Sequence, residues 1–323
     1  MNSSLIRVLI VGFGAIGQRH FDNLSKRMDC DIAICRRSHQ AAQQTREAFG
    51  VETFASLHAS IAWHPDCVII CNPTSLHVNT AQWAIDQGYH VFIEKPISHT
   101  TEKLDALLTQ AETKNLKVGI ACNLRFHPAL QTIKKTIADG GIGSLLSIRA
   151  EVGTYLPDWH PKQDYRTEYS ARSDLGGGAL LTLIHELDYV FWIAGDVDKV
   201  IGWHAHISQL EIDVDDITEC VCQHTSGAIS SIHMDFLDRS YNRRSRWVGT
   251  SGTLDWVWNG PLRLLRPQNQ EEQLWHDPYF DLNQTYIDEV DDFITSIRCN
   301  SSPFTSGHEG KRVLEIAQQI KAI

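Results

Sequence analysis

Short apolar runs alternate with segments of helical periodicity over the first third of the chain. The segments begin near Ala15 and His39, and after Ser75 and Ser98. Strands that alternate with helices in this way form βαβ units around a parallel sheet. We therefore predict an α/β protein whose residues 1–122 form a Rossmann domain with a doubly wound parallel sheet. Its predicted strands are residues 5–11, 31–35, 67–71, 91–93 and 118–122.

The pattern changes after about residue 123, where longer runs alternate apolar and polar positions. The turns between them are short, and short connections favour antiparallel pairing. A helix led by glycines is predicted over 176–194, and two more over 282–298 and 308–323. Residues 123–323 are therefore predicted to form an α+β domain that binds substrate and carries an open, largely antiparallel sheet. Its predicted strands are residues 144–152, 200–208, 217–224 and 228–236.

Charge and composition exclude several partners. A net charge of −10 and a pI of about 5.9 argue against nucleic acid or an anionic membrane. The cysteines lack Cys-x-x-Cys spacing, so no metal site is expected. No secretory signal or membrane-length apolar run is visible, so we expect a cytoplasmic protein. The basic cluster Arg243, Arg244 and Arg246 is interpreted as solvated surface.

A glycine-rich turn follows the first predicted strand and opens the first helix. It fits the G-x-G-x-x-G pattern, in which glycines let the backbone approach a pyrophosphate at a helix N-terminus. The alternative is an incidental glycine-rich turn. The residues predicted to bind a dinucleotide here are Gly12, Phe13, Gly14, Ala15, Ile16 and Gly17.

The end of the second predicted strand indicates which dinucleotide is bound. NAD-specific sites place an acidic residue there, whereas this chain has Arg36, Arg37 and Ser38. A guanidinium suits a 2′-phosphate and cannot accept a bond from a ribose hydroxyl. NADP is therefore the predicted cofactor, with NAD possible, and the alternative is that these arginines only face water.

A lysine follows the fourth predicted strand in the sequence Glu94-Lys95-Pro96. Open α/β sheets bind ligands at the carboxyl ends of their strands, so this lysine is placed to lie near a nicotinamide. A cis bond before Pro96 would fix its direction.

These motifs together resemble the Gfo/Idh/MocA family, which includes glucose-fructose oxidoreductase and inositol dehydrogenase. The resemblance extends over almost the whole chain and follows the family's order of motifs. It is carried by residues 12–17, by Cys71-Asn72-Pro73-Thr74 with His77, by Glu94-Lys95-Pro96, by residues 123–128, and by Gly176-Gly177-Gly178 followed by His185.

The resemblance implies specific roles. Lys95 and His185 would be catalytic, with Lys95 near the nicotinamide and the reacting hydroxyl. Asn123 and Thr182 would contact substrate, and Thr182 stands where relatives commonly carry an aspartate. Because threonine has no carboxylate, Asp188, one helical turn after His185, would be the group that raises the basicity of His185. The further residues implied in cofactor binding are Cys71, Asn72, Pro73, Thr74, His77, Glu94, Pro96 and Arg125.

The loop between the first predicted strand of the second domain and the glycine-led helix is rich in aromatic and charged side chains. Aromatic faces stack on sugar rings and charged groups pair with hydroxyls, so the loop is interpreted as a carbohydrate-facing lid. The alternative is a loop packed over the glycine-led helix by its aromatics. The predicted substrate residues on it are Trp159, His160, Tyr165 and Arg166.

The predicted protein is an NADP(H)-preferring dehydrogenase acting on a secondary alcohol of a sugar. The loop motifs are similar to family branches of bacterial surface-sugar metabolism, which suggests an amino sugar, a nucleotide sugar or a sugar acid. Two alternatives stay open: a non-catalytic NADP-binding sensor, and a redox-assisted sugar lyase or glycosidase. The open sheet predicts a homodimer or homotetramer.

Overall fold

The computed structural model describes residues 5–322. The chain divides into two compact units, one of residues 5–121 with Tyr286–Lys311, the other of Cys122–Thr285 with residues 312–322. The segment Tyr286–Lys311, assigned to the second domain from sequence, thus belongs to the first unit. Two predictions lie partly outside the described residues. The expectation of no secretory signal includes residues 1–4, and the helix predicted over 308–323 includes residue 323.

The first unit contains a six-stranded sheet in which every pair of neighbours is parallel. The strand order is β3-β2-β1-β4-β5-β6, the doubly wound order of dinucleotide-binding folds. The apolar runs form strands because both faces are buried. β3 was not predicted. The strands are β1 (Ile6–Val11), β2 (Cys30–Cys35), β3 (Glu52–Phe54), β4 (Cys67–Ile70), β5 (His90–Glu94) and β6 (Val118–Ala121).

Helices from both ends of the chain cover this sheet. Helix α9 (Asn283–Cys299) places Val290, Phe293 and Ile294 in a core cluster with strand residues such as Phe92. The rings of Phe92 and Phe293 have centroids 5.0 Å apart. The other helices over residues 5–121 are α1 (Ala15–Leu24), α2 (His39–Phe49), α3 (Leu57–Ser60), α4 (His77–Gln87) and α5 (Leu104–Thr113).

The second unit is built on an eight-stranded sheet of order β14-β13-β12-β11-β7-β10-β9-β8. Its neighbours are antiparallel except β7 and β10, which run parallel. The predicted fold class is therefore confirmed. The strands are β7 (Leu145–Gly153), β8 (Val197–Ala205), β9 (Ile217–His224), β10 (Ile229–Asp235), β11 (Asn242–Gly249), β12 (Thr253–Val257), β13 (Leu262–Arg266) and β14 (Gln270–Trp275).

The predicted helix over 176–194 is wrong as a continuous helix. It is interrupted into α7 (Ala179–Thr182) and α8 (His185–Ala194), because Leu183 has a ψ of 22° outside the helical range. Helix α6 (Pro128–Ala138) was not predicted, and α10 (Gly307–Lys321) closes the chain. Within residues 5–322, no helix has the length and apolar character that crossing a membrane requires.

The prediction for the basic cluster in β11 is wrong for Arg243. This side chain is buried and forms a two-point ion pair with Glu186, whereas Arg244 and Arg246 are exposed and pair with Glu151 and Asp255. Side chains alternate across a strand, so neighbouring arginines on β11 face opposite sides of the sheet.

Candidate active site

The glycine-rich turn after β1 has the geometry of a pyrophosphate cradle. Gly12 has a φ of +93°, and a Cβ there would lie 2.6 Å from the backbone nitrogen of Asn72. A Cβ on Gly14, by contrast, would meet no atom within 4 Å. Gly12 thus permits two loops to touch, while Gly14 faces open space at the start of α1, where the helix N-terminus attracts an anion.

The residues after β2 lie beside this turn. Nη1 of Arg36 donates to the carbonyl oxygen of Phe13 at 3.1 Å, and the guanidinium lies 5.6 Å from the Phe13 ring centroid. Burial, followed by the charge of Arg37, lowers the pKa of Arg36. Arg37 is exposed, and the Ser38 hydroxyl caps α2 by accepting from the Ala41 amide. An exposed guanidinium next to a helix N-terminus offers an anion site without rearrangement of the backbone.

The loop after β4 contains Cys71, Asn72, Pro73 and Thr74. Nδ2 of Asn72 donates to the hydroxyl of Thr80 at 2.8 Å. Oδ1 of Asn72 is buried and meets no hydrogen-bond donor in the described part of the chain. A buried amide oxygen of this kind needs a donor, and a ribose hydroxyl is one. The loop therefore fits a nucleotide cofactor.

His77 ties this loop to the one that carries the lysine. Its Nε2 lies 2.9 Å from the carbonyl oxygen of Asn72, and its Nδ1 lies 2.9 Å from the carbonyl oxygen of Pro96. Burial lowers its pKa, although both carbonyls favour the protonated ring. The Lys95–Pro96 bond is cis, as anticipated. The ring thus fixes the backbone on the far side of Pro96 from Lys95.

A buried cluster lies next to Lys95 in the same unit. It consists of His20 from α1, Glu94 at the end of β5 and Glu289 from α9, whose ligand-type atoms all lie within 4.8 Å of one another. Nε2 of His20 is 2.8 Å from Oε1 of Glu94. Glu289 and His20 were missed from the sequence, because no local motif includes them.

His185 is the first residue of α8 in the second unit, and it is buried. The two acidic residues that follow it are held by arginines. Glu186 pairs with Arg243 as described, and Asp188 accepts from Nε and Nη2 of Arg125 at 3.0 and 2.7 Å. Asp188 is therefore held in a two-point ion pair, and its predicted effect on the basicity of His185 stays a prediction.

Thr182 and His185 were expected on one face of a continuous helix, and this expectation is wrong. Thr182 ends α7 and His185 begins α8. Arg125, implied in cofactor binding, donates from Nε and Nη2 to Asp188 within the second unit. Nδ2 of Asn123 donates to the Thr285 hydroxyl at 2.9 Å. Their predicted ligand roles stay predictions.

The predicted lid forms short 3-10 turns rather than an open loop. Trp159 donates to the Thr154 hydroxyl at 2.8 Å and packs its ring edge against Phe236. Nε2 of His160 lies 3.6 Å from Oε2 of Glu168.

The other two predicted lid residues bond within the second unit. Arg166 pairs with Asp164 and Glu211, and the Tyr165 hydroxyl accepts from the Glu211 amide at 3.1 Å. These bonds order the segment, and its predicted contact with substrate stays a prediction.

Two family models match the chain. The model described as "Oxidoreductase family, NAD-binding Rossmann fold" matches residues 6–122, and the one described as "GFO/IDH/MocA C-terminal domain" matches residues 130–255. The chain therefore belongs to the Gfo/Idh/MocA oxidoreductase family, which confirms the resemblance and the prediction of a nicotinamide-dependent oxidoreductase.

Two proteins with similar sequences are named as dehydrogenases. Levoglucosan dehydrogenase of Pseudarthrobacter phenanthrenivorans is 32% identical over 52% of this chain, a match that spans 43% of that relative. UDP-N-acetylglucosamine 3-dehydrogenase of Acidithiobacillus ferrooxidans is 25% identical, over 98% of this chain and 96% of the relative.

A solved structure shows the same fold. The WlbA dehydrogenase from Bordetella pertussis, in complex with NADH and UDP-GlcNAcA, has a TM-score of 0.84 at 21% identity, covering 100% of this chain and 96% of that one.

The Arg125–Asp188 pair predicts a large effect on stability. Replacing Arg125 with Met leaves a buried carboxylate unpaired, and we expect the free energy of unfolding to fall by about 3–5 kcal/mol in urea denaturation. The matched control is Arg166→Met, which breaks a pair whose side chains are about half exposed, and its loss of stability should be much smaller because solvent screens an exposed pair. Equal losses in the two variants would contradict a structural role for Arg125.

Proposed function

We propose that this protein is an NADP(H)-preferring dehydrogenase for a secondary alcohol of a sugar, amino sugar or nucleotide sugar. The observation that carries the proposal is the cofactor edge of the first unit. There an open glycine turn, the Asn72 side-chain oxygen, which meets no donor within residues 5–322, and Lys95 follow three strands of one parallel sheet. The substrate class is supported by the relatives, whose names specify levoglucosan and UDP-N-acetylglucosamine.

In this proposal Lys95 and His185 act on the reacting hydroxyl group and its proton. A bound nicotinamide dinucleotide would accept or supply the hydride. Lys95 would donate a hydrogen bond to the reacting oxygen and stabilise negative charge on it. His185 would take the proton in oxidation and return it in reduction.

Loss of either group should stop turnover while cofactor binding survives. We expect Lys95→Met and His185→Gln each to lower kcat by about 10²- to 10⁴-fold, since each removes acid–base assistance. The double variant should be little worse than the poorer single one if both serve one step. Exposed matched controls are Lys26→Met and His58→Gln.

Turnover would be measured by NADPH absorbance with a panel of sugars, and cofactor binding by calorimetry. Full turnover in either active-site variant would contradict the mechanism. Cofactor binding with no turnover on any sugar would favour a sensor. Bond cleavage with no net change in NADPH would favour a lyase or glycosidase.

The preference for NADP is proposed to come from Arg37 with Arg36 and Ser38. Charge-assisted hydrogen bonds contribute about 1.5–3 kcal/mol, so Arg37→Asp should lower kcat/KM for NADP by about 10- to 100-fold. The value for NAD should change little. Arg46→Asp is the matched control, since Arg46 is exposed on the last turn of α2 and pairs with Glu52. Preference of the unaltered protein for NAD would contradict the proposal.

The outer face of the second sheet is proposed to bind a second copy of the chain. Ile201, Trp203 and Val221 are 60%, 73% and 39% exposed on adjacent strands, and Ile201 pairs directly with Val221. An exposed apolar patch of this kind is typical of a self-complementary interface.

A cytoplasmic location is also part of this proposal. All eight cysteines are free thiols, which fits that location.

The assembly is tested by light scattering coupled to size-exclusion chromatography. We expect a dimer or tetramer for the unaltered protein. Trp203→Lys should shift it toward monomer, because it places a charge in the apolar patch. Tyr279→Lys, at a tyrosine that is 92% exposed outside the sheet, should leave the mass unchanged. A monomeric unaltered protein would overturn the proposal.

A further inference from the structure

The buried cluster beside Lys95 holds more acidic groups than its partners can neutralise. His20, Glu94 and Glu289 are exposed by only 0%, 8% and 2%. They come from three separate elements, α1, the end of β5 and α9, so packing forces them together. The His20 ring can donate one hydrogen bond to Glu94, which leaves the charge of Glu289 without a counterpart in this set.

Glu289 is the member of the cluster without hydrogen bonds. Neither of its carboxyl oxygens has a hydrogen-bond partner among residues 5–322. An ionised carboxylate in that state would carry a large desolvation penalty, whereas the neutral acid has a proton to donate. An adjacent carboxylate, Glu94, is the acceptor that such a proton requires.

Two further groups near Glu289 are uncharged, and the guanidinium of Arg19 lies over the ring of one of them, Tyr286, at 4.5 Å. Burial raises the pKa of Tyr286 to about 12, and burial also raises the pKa of the Cys71 thiol, so both groups are neutral. The charge of Lys95 acts to lower the pKa of Glu289. Burial, followed by the charge of Glu94, nevertheless raises the pKa of Glu289 well above its usual range.

We propose that Glu289 is a carboxylic acid in the native protein at neutral pH and shares its proton with Glu94. The shared proton would hold the Glu94 carboxylate, together with the bond from His20, and would thereby fix the peptide that carries Lys95. Glu289 is then a positioning residue. This effect on Lys95 rests on the proposed function, whereas the protonation of Glu289 does not.

Infrared difference spectroscopy tests the protonation directly. We expect the spectrum of the unaltered protein minus that of Glu289→Gln to contain the carbonyl band of a protonated carboxyl group at neutral pH. The control Glu102→Gln removes an exposed glutamate of the same unit and should show only carboxylate bands. Carboxylate bands alone for Glu289 would overturn the proposal, whatever the enzyme's substrate proves to be.

Thermal unfolding against pH gives an independent measurement. A carboxyl group whose pKa is raised in the native state keeps a proton that the unfolded chain releases near pH 4.3, so the native state loses stability as pH rises from about pH 4.3 through the native pKa. Glutamine has no such proton. The Tm of Glu289→Gln relative to the unaltered protein should therefore increase between about pH 5 and about pH 8. A flat difference would contradict the proposal.

The positioning role is tested by rescue. Glu289→Leu should lower kcat at least tenfold with little change in KM, and Glu289→Gln should recover most of that loss, because its amide donates as the protonated acid does. If glutamine is as damaging as leucine while the infrared band is present, the effect on Lys95 fails and the protonation stands. A metal bound in stoichiometric amount to the unaltered protein and absent from Glu289→Gln would overturn both the protonation of Glu289 and its effect on Lys95.

Discussion

Close backbone contact between the β1 and β4 loops is the constraint on which the cofactor edge depends. Only a residue without a side chain fits at Gly12, where a Cβ would collide with the Asn72 backbone. That contact sets the position of Asn72, whose carbonyl oxygen lies 2.9 Å from one ring nitrogen of His77, and the other ring nitrogen lies 2.9 Å from the Pro96 carbonyl oxygen. Three strand ends are thus joined by one glycine and one buried imidazole, and Lys95 lies on the last of them.

The second unit relies on paired charges instead. Helix α8 begins with His185 and directs Glu186 and Asp188 into the interior, where Arg243 and Arg125 neutralise them. A buried ion pair adds little net stability, yet loss of one partner is expensive, so such pairs fix the direction of the helix that carries them. The orientation of His185 is therefore determined by arginines from β11 and from the segment before α6.

Local patterns in the sequence are sufficient for five of the six parallel strands and for the glycine turn, because both have short-range signatures. They failed where long-range contacts decide. The alternation in β11 was hidden by three arginines that look like surface, and the break before His185 has no proline or glycine to mark it. Glu289 lies far along the chain from Glu94, so their proximity exists only after folding.

The position of α9 has a consequence for synthesis. Val290, Phe293 and Ile294 complete a core whose other members are strand residues and Leu24 of α1, all from the first part of the chain. A nascent chain that has emerged only through β6 therefore covers this face of its sheet only in part, with α1, and most of the remaining residues must be made before α9 can complete it. Vectorial folding, in which the N-terminal unit is finished first, does not suit this protein. The core of its first unit is completed only when α9 has been made.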